Sequence, residues 1–167
     1  MSLIRRTAAV AAMLVMSAAP RALHAQELGI ELGSTAPAAK VHTLEGKESD
    51  LSQYVGKSPV VMEFWATWCE NCKELEPTLL AVAKKYSAQV KFVGVAVSVN
   101  QTPARVKAFV AKHNIPGDQY FDTKGNATGA YDVPATSYVV VLNKAGKVVY
   151  TGLGGKQNLD AAIKKAL

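Results

Sequence analysis

Cys69 and Cys72 are the only two cysteines in the 167-residue chain. Any disulfide, thiol or thiolate–metal chemistry must therefore pass through this one pair. Two residues separate them, so a bridge between them closes a very small loop and constrains little of the unfolded chain. Such a bridge is a weak staple, and its spacing is better suited to being made and broken. A thiolate is the reactive form, so a working pair needs surroundings that lower a cysteine pKa. One acid stands in the segment that precedes the pair. Glu63 interrupts the otherwise apolar run Val60–Ala66 that leads to the cysteines.

The elements that must position these groups can be read outward from the pair. Val60–Ala66 is a continuous apolar segment of the kind found in strands buried on both faces. From Cys72 onward, Leu75, Leu79, Val82, Ala83 and Tyr86 recur with helical spacing. Cys69 thus falls where a strand hands over to a helix, beside unpaired backbone N–H groups and the positive end of the helix dipole. Cys69 is expected to be the exposed, attacking sulfur, with Cys72 one turn on as the resolving one. Glu70 opposes the thiolate slightly through its charge.

Before this segment, residues 26–36 show few periodic apolar positions and read as a linker. Lys40–Leu44 and the Glu45-Gly46-Lys47 turn suggest a small hairpin, and Leu51–Val55 one helical turn. Beyond it, Val90–Val99 is a further apolar strand, and Thr102-Pro103 opens a helix as cap and first residue. Tyr120–Asp122 is a short strand and Asn126–Tyr131 a short helix. Tyr138–Leu142 and Val148–Thr151 form a hairpin across Asn143-Lys144-Ala145-Gly146, and an amphipathic helix from Asn158 ends the chain. This order predicts an α/β fold in which the first strands are parallel and the last two antiparallel.

The N-terminus has a different character. Arg5 and Arg6 precede an uncharged run from Thr7 to Ala19, Pro20 breaks it, and Leu23-His24-Ala25 offers a small residue for cleavage. Residues 1–25 read as a secretory signal peptide, since a spanning helix needs about 20 apolar residues. The expected location is exported and periplasmic, with membrane attachment only if that segment is retained. Its removal lowers the formal charge from +6 to +3, sixteen basic residues against thirteen acidic ones. No clustered basic face remains, so nucleic-acid binding is not expected. Residues 37–167 then form one domain.

Phe64-Trp65-Ala66-Thr67-Trp68-Cys69-Glu70-Asn71-Cys72, followed by Pro77, resembles the active-site segment of the thioredoxin superfamily. With the N-terminal signal, the early hairpin and the extra helix and strand between Thr102 and Asp122, the chain is similar to its exported TlpA/ResA-like branch. The resemblance covers roughly residues 36 to 167. It implies a thioredoxin-like fold, with a central mixed β-sheet flanked by helices, and thiol–disulfide exchange through a redox-active Cys69–Cys72 disulfide. It also places Glu63 where thioredoxins keep a buried acid near the resolving cysteine, as the proton acceptor for Cys72. No cofactor is expected. Implied partners are protein disulfide substrates and an upstream membrane thiol donor, with cytochrome c maturation or copper-site assembly as the setting.

Trp68, adjacent to Cys69, is expected on the rim where a partner docks, with Thr136 and Ser137 on the opposite wall. The family keeps a cis-proline there, and this chain has Ser137 at that position, with Pro134 three residues earlier. The alternative function is a chaperone for copper or another thiophilic metal on the same cysteines, with His42 or His113 as a further ligand. No second cysteine pair exists to complete a structural zinc site, and no resident metal is expected.

Overall fold

The computed structural model describes residues 28–167, so the expected signal peptide lies outside the described residues. Seven strands form one mixed sheet: β1 (Lys40–Thr43), β2 (Glu48–Asp50), β3 (Val60–Trp65), β4 (Lys91–Val97), β5 (Asp118–Asp122), β6 (Tyr138–Leu142) and β7 (Val148–Leu153). The helices are α1 (Glu70–Tyr86), α2 (Pro103–His113), α3 (Asn126–Ala130) and α4 (Leu159–Lys164), with a 3-10 turn at Leu51–Tyr54. Spatial order is β2-β1-β5-β4-β3-β6-β7.

The long connections through α1 and α2 make β3, β4 and β5 parallel neighbours. The tight turn after β6 makes β6 and β7 antiparallel, and β6 also runs antiparallel to β3. The expected mixture of parallel and antiparallel pairing is what the sheet shows.

Every residue of β3 is buried, because the strand is central and covered on both faces. Alternation then divides its side chains. Val60, Met62 and Phe64 join one core with Val93, Val95, Tyr131, Tyr138 and Val140. Val61 packs on the other face with Leu75, Leu79 and Val82 of α1 and Leu159 and Ile163 of α4. Trp65 shares that parity and packs with Cys69, Cys72 and Val106. Glu63, between Val61 and Trp65, is therefore directed to the α1 side of the sheet, where Cys72 lies.

The stretch read as a linker needs correction in its described part. Ile30 and Ala36 are buried in the first core, and the Ile30 N–H donates to the Tyr138 hydroxyl at 3.1 Å. Thr35 bridges to Lys147 at the edge of β7. Gly29 has a φ of +96°, and a Cβ there would collide with the Tyr138 ring. Isolated apolar residues between turns bury as plugs without producing any periodicity, which is why the sequence pattern does not reveal them.

Candidate active site

Cys69 is the N-cap of α1. Its backbone is extended, and its Sγ accepts the Cys72 N–H at 3.1 Å. The sulfur therefore occupies the place where a capping oxygen normally satisfies a free helix N–H. Cys69 and Cys72 form a disulfide with their Cα atoms 5.3 Å apart. The expected contrast in exposure is absent: Cys69 is 5% exposed and Cys72 8%. What separates the two sulfurs is position. Cys69 caps the helix and follows the exposed Trp68, whereas Cys72 belongs to the buried stripe of α1.

The loop carrying Trp68 is fixed from β4. The Thr67 N–H donates to the Gln101 Oε1 at 2.9 Å, and the Gln101 amide in turn donates to the Val97 carbonyl. Trp68 is 40% exposed, and its Nε1–H donates to the Val99 carbonyl at 2.7 Å. The indole thus lies at the edge of a cavity of about 490 Å³, lined among others by Val97, Val99, Thr128, Val133 and Thr136. Trp68 and Thr136 line the same cavity.

Ser137 departs from the expected docking wall. It is fully buried, and its hydroxyl donates to the Glu63 carboxylate at 3.3 Å. The reason is again alternation: Ser137 shares the parity of Val139 and Val141, which face α1. Its hydroxyl is a partner of the buried acid and is not available to a docked protein. Ser137 directly precedes β6, Pro134 lies exposed earlier in the loop, and no peptide bond among the described residues is cis.

Glu63 is 6% exposed and forms no ion pair among the described residues. Burial raises its carboxyl, the Ser137 hydrogen bond partly offsets this and the Glu76 charge adds to it, leaving it at about 8. Its strand partner is Gly94, and a Cβ at Gly94 would collide with the Gln119 side chain. The missing side chain at position 94 is what lets Gln119 lie across the sheet beside Glu63.

The two candidate ligands, His42 and His113, have other partners. His42 Nδ1 meets the Thr123 hydroxyl at 3.1 Å, and His113 Nδ1 meets both Glu76 carboxylate oxygens at 3.1 and 3.2 Å. Among the described residues no group of three or more His, Cys, Asp or Glu side chains is arranged to hold a metal ion. Gln101, Glu76 and Gln157 are site residues that the sequence pattern does not single out. Gln157 donates to the carbonyls of Ser137 and Gly154 and so secures the loop before β6.

A seven-stranded mixed sheet whose first long helix is capped by a Cys-x-x-Cys disulfide defines a thioredoxin-like thiol–disulfide oxidoreductase. Residues 31–167 match the Redoxin family model, and the chain belongs to that family. It is 33% identical to the thiol-disulfide oxidoreductase ResA of Bacillus subtilis over 128 residues, covering 77% of this chain and 70% of the relative. Identity to ResA of Bacillus thuringiensis subsp. konkukian is 30% over 142 residues, 84% of this chain and 81% of the relative. Among solved structures it is similar to a Chlorobium tepidum protein described as thiol:disulfide interchange protein DsbE. The TM-score is 0.70 at 26% identity, covering 82% of this chain and 98% of that one. It is also similar to a secreted Mycobacterium tuberculosis disulfide oxidoreductase, with a TM-score of 0.63 at 28% identity over 76% of this chain and 93% of that one.

Proposed function

We propose that this thiol–disulfide oxidoreductase is exported and reduces disulfides of partner proteins, with Cys69 attacking and Cys72 resolving. The observation that carries the reading is the Cys69 sulfur at the N-terminus of α1, with the buried Glu63 on the strand beneath. In the dithiol form, the helix end that holds the Cys69 sulfur favours its thiolate. That thiolate attacks a partner disulfide and forms a mixed disulfide. Cys72 loses its proton to the ionised fraction of Glu63, which grows as pH approaches about 8, and attacks the Cys69 sulfur. The partner leaves as a dithiol, and the Cys69–Cys72 bond is restored.

Trp68 and Thr136, on one cavity, receive the partner chain. Export is supported by the Arg5-Arg6 and Thr7–Ala19 pattern and by similarity to a secreted relative. Outside the cytoplasm an upstream membrane thiol donor is needed to return the pair to the dithiol state. Similarity to thiol–disulfide oxidoreductases supports a protein disulfide as the substrate, and the setting we propose is a maturation pathway, of c-type cytochromes or of copper sites.

Two measurements test this. A Cys72→Ser variant cannot resolve, so its Cys69 is expected to accumulate covalent adducts with partner proteins that dithiothreitol releases, whereas Cys69→Ser gives none. Equilibration against a reference dithiol is expected to give a potential nearer to about −270 mV than to about −120 mV. A strongly oxidising value would reverse the direction of transfer and overturn the reductase reading.

A further inference from the structure

Glu63 takes and gives a proton once per cycle under the reading above, yet it is buried and reaches no ion pair. Two narrow voids of about 10 Å³ adjoin it, each the size that holds one water molecule. The first is bounded by Glu63, Cys72, Trp65, Glu76, Phe109 and Lys73. The second is bounded by Glu63, Trp65, Gly94 and Gln119. Trp65 lines both, and its buried Nε1–H has no partner among the described residues; the buried Gln119 Oε1 at the second void has none either. A buried polar atom without a partner is costly, and one in a water-sized void commonly pairs with water.

Glu76 lies one helical turn after Cys72 and so faces the same side of α1. It stands at the boundary of the first void, with its side chain 18% exposed. His113, 29% exposed at the end of α2, bonds both of its carboxylate oxygens and stacks on Phe109 at 3.9 Å. The charged or titratable side chains lining the two voids are Glu63, Cys72, Glu76 and Lys73, and the Lys73 ammonium is held by Glu70 at 2.6 Å. From β6 the neutral Ser137 hydroxyl faces Glu63.

We propose that Glu76, held by His113, is the outlet through which Glu63 exchanges its proton with solvent, across a water in the void beside Cys72. The proposal rests on Glu63 serving as the base. When Cys72 attacks Cys69 in the mixed disulfide, the Cys69–Cys72 bond forms and the bond to the partner sulfur breaks. Two electrons pass to the partner, and the Cys72 proton goes to Glu63. The relay then carries that proton from Glu63 through the water to Glu76 and out past His113, restoring the Glu63 carboxylate. Glu76 and His113 are positioning and relay residues that do not touch the reacting sulfurs.

The test is a stopped-flow reaction of the reduced protein with a chromogenic peptide disulfide, resolving the attack and resolution phases. Glu76→Gln and His113→Gln are expected to leave attack unchanged and to slow resolution about tenfold in dilute buffer. Concentrated imidazole at constant ionic strength is expected to restore the rate, while the wild-type rate does not depend on buffer. Slowing that imidazole does not relieve means a structural role and overturns the relay, as do wild-type rates in both variants. Glu63→Gln distinguishes loss of the relay from loss of the base. If it is slow while both relay variants are normal, the relay alone fails; if it too is normal, the base assignment fails and the relay with it.

Discussion

Replacing Glu63 by Gln should change how stability depends on pH more than any other single substitution at this site. The carboxyl is raised from about 4.5 to about 8 by burial, so the folded protein keeps a proton that the unfolded chain releases. Below about pH 4.5 both states are protonated, and the neutral form sits in the fold without penalty. Between about 4.5 and about 8 the unfolded chain is ionised while the folded one is not, and stability falls by about 1.4 kcal/mol per pH unit. Above about 8 both are ionised and the loss levels off near a total of about 5 kcal/mol. At 6% exposure little solvent screening reduces this.

Glutamine has nearly the same shape, can still accept from Ser137, and does not ionise. The difference in unfolding free energy between Glu63→Gln and wild type should therefore grow with pH in favour of the variant. Groups elsewhere, such as the Asp160 carboxylate between Lys85 and Lys164, titrate alike in both proteins and cancel in the difference. Urea unfolding of the disulfide form, from about pH 5 to about pH 9, measures it. A difference that stays flat across that range would show Glu63 ionising at its ordinary value, and the buried-acid argument would be refuted.

Three further outcomes follow from the same geometry. Ser137→Ala removes the hydrogen bond that lowers Glu63, so the rise of the resolution rate with pH should move to higher pH, read from a pH–rate profile. Trp68→Ala removes one wall of the cavity and the bond to Val99; kcat/KM for a protein disulfide should fall about tenfold while that for a small disulfide changes little. Gly94→Ala drives a methyl group into the end of the Gln119 side chain, which can swing aside at the expense of its bond to the Pro116 carbonyl, so urea unfolding should show a loss of only about 1 kcal/mol.

The parts of the site that neighbours in the chain can build are legible in the sequence. An apolar strand, two cysteines at a helix start and an apolar helical stripe place Cys69 at the start of α1 with Cys72 one turn on. A lone acid in that strand already marks Glu63 as unusual. Alternation about Val61 and Trp65 would even give its side, once another element identifies which face α1 covers. The rest depends on partners brought from afar. Ser137 meets Glu63 across 74 positions, His113 meets Glu76 across 37 and Gln101 meets the Thr67 N–H across 34.

No local pattern encodes those meetings, because hydrogen bonds between distant side chains are set by strand order and register. The same reason accounts for Ile30, whose burial depends on the ring of Tyr138 reaching back to the N-terminal segment. The sequence by itself determined that the chemistry belongs to Cys69 and Cys72. Only the tertiary structure decided that Ser137 is turned inward to the buried acid, because β6 enters the sheet beside β3 with that parity.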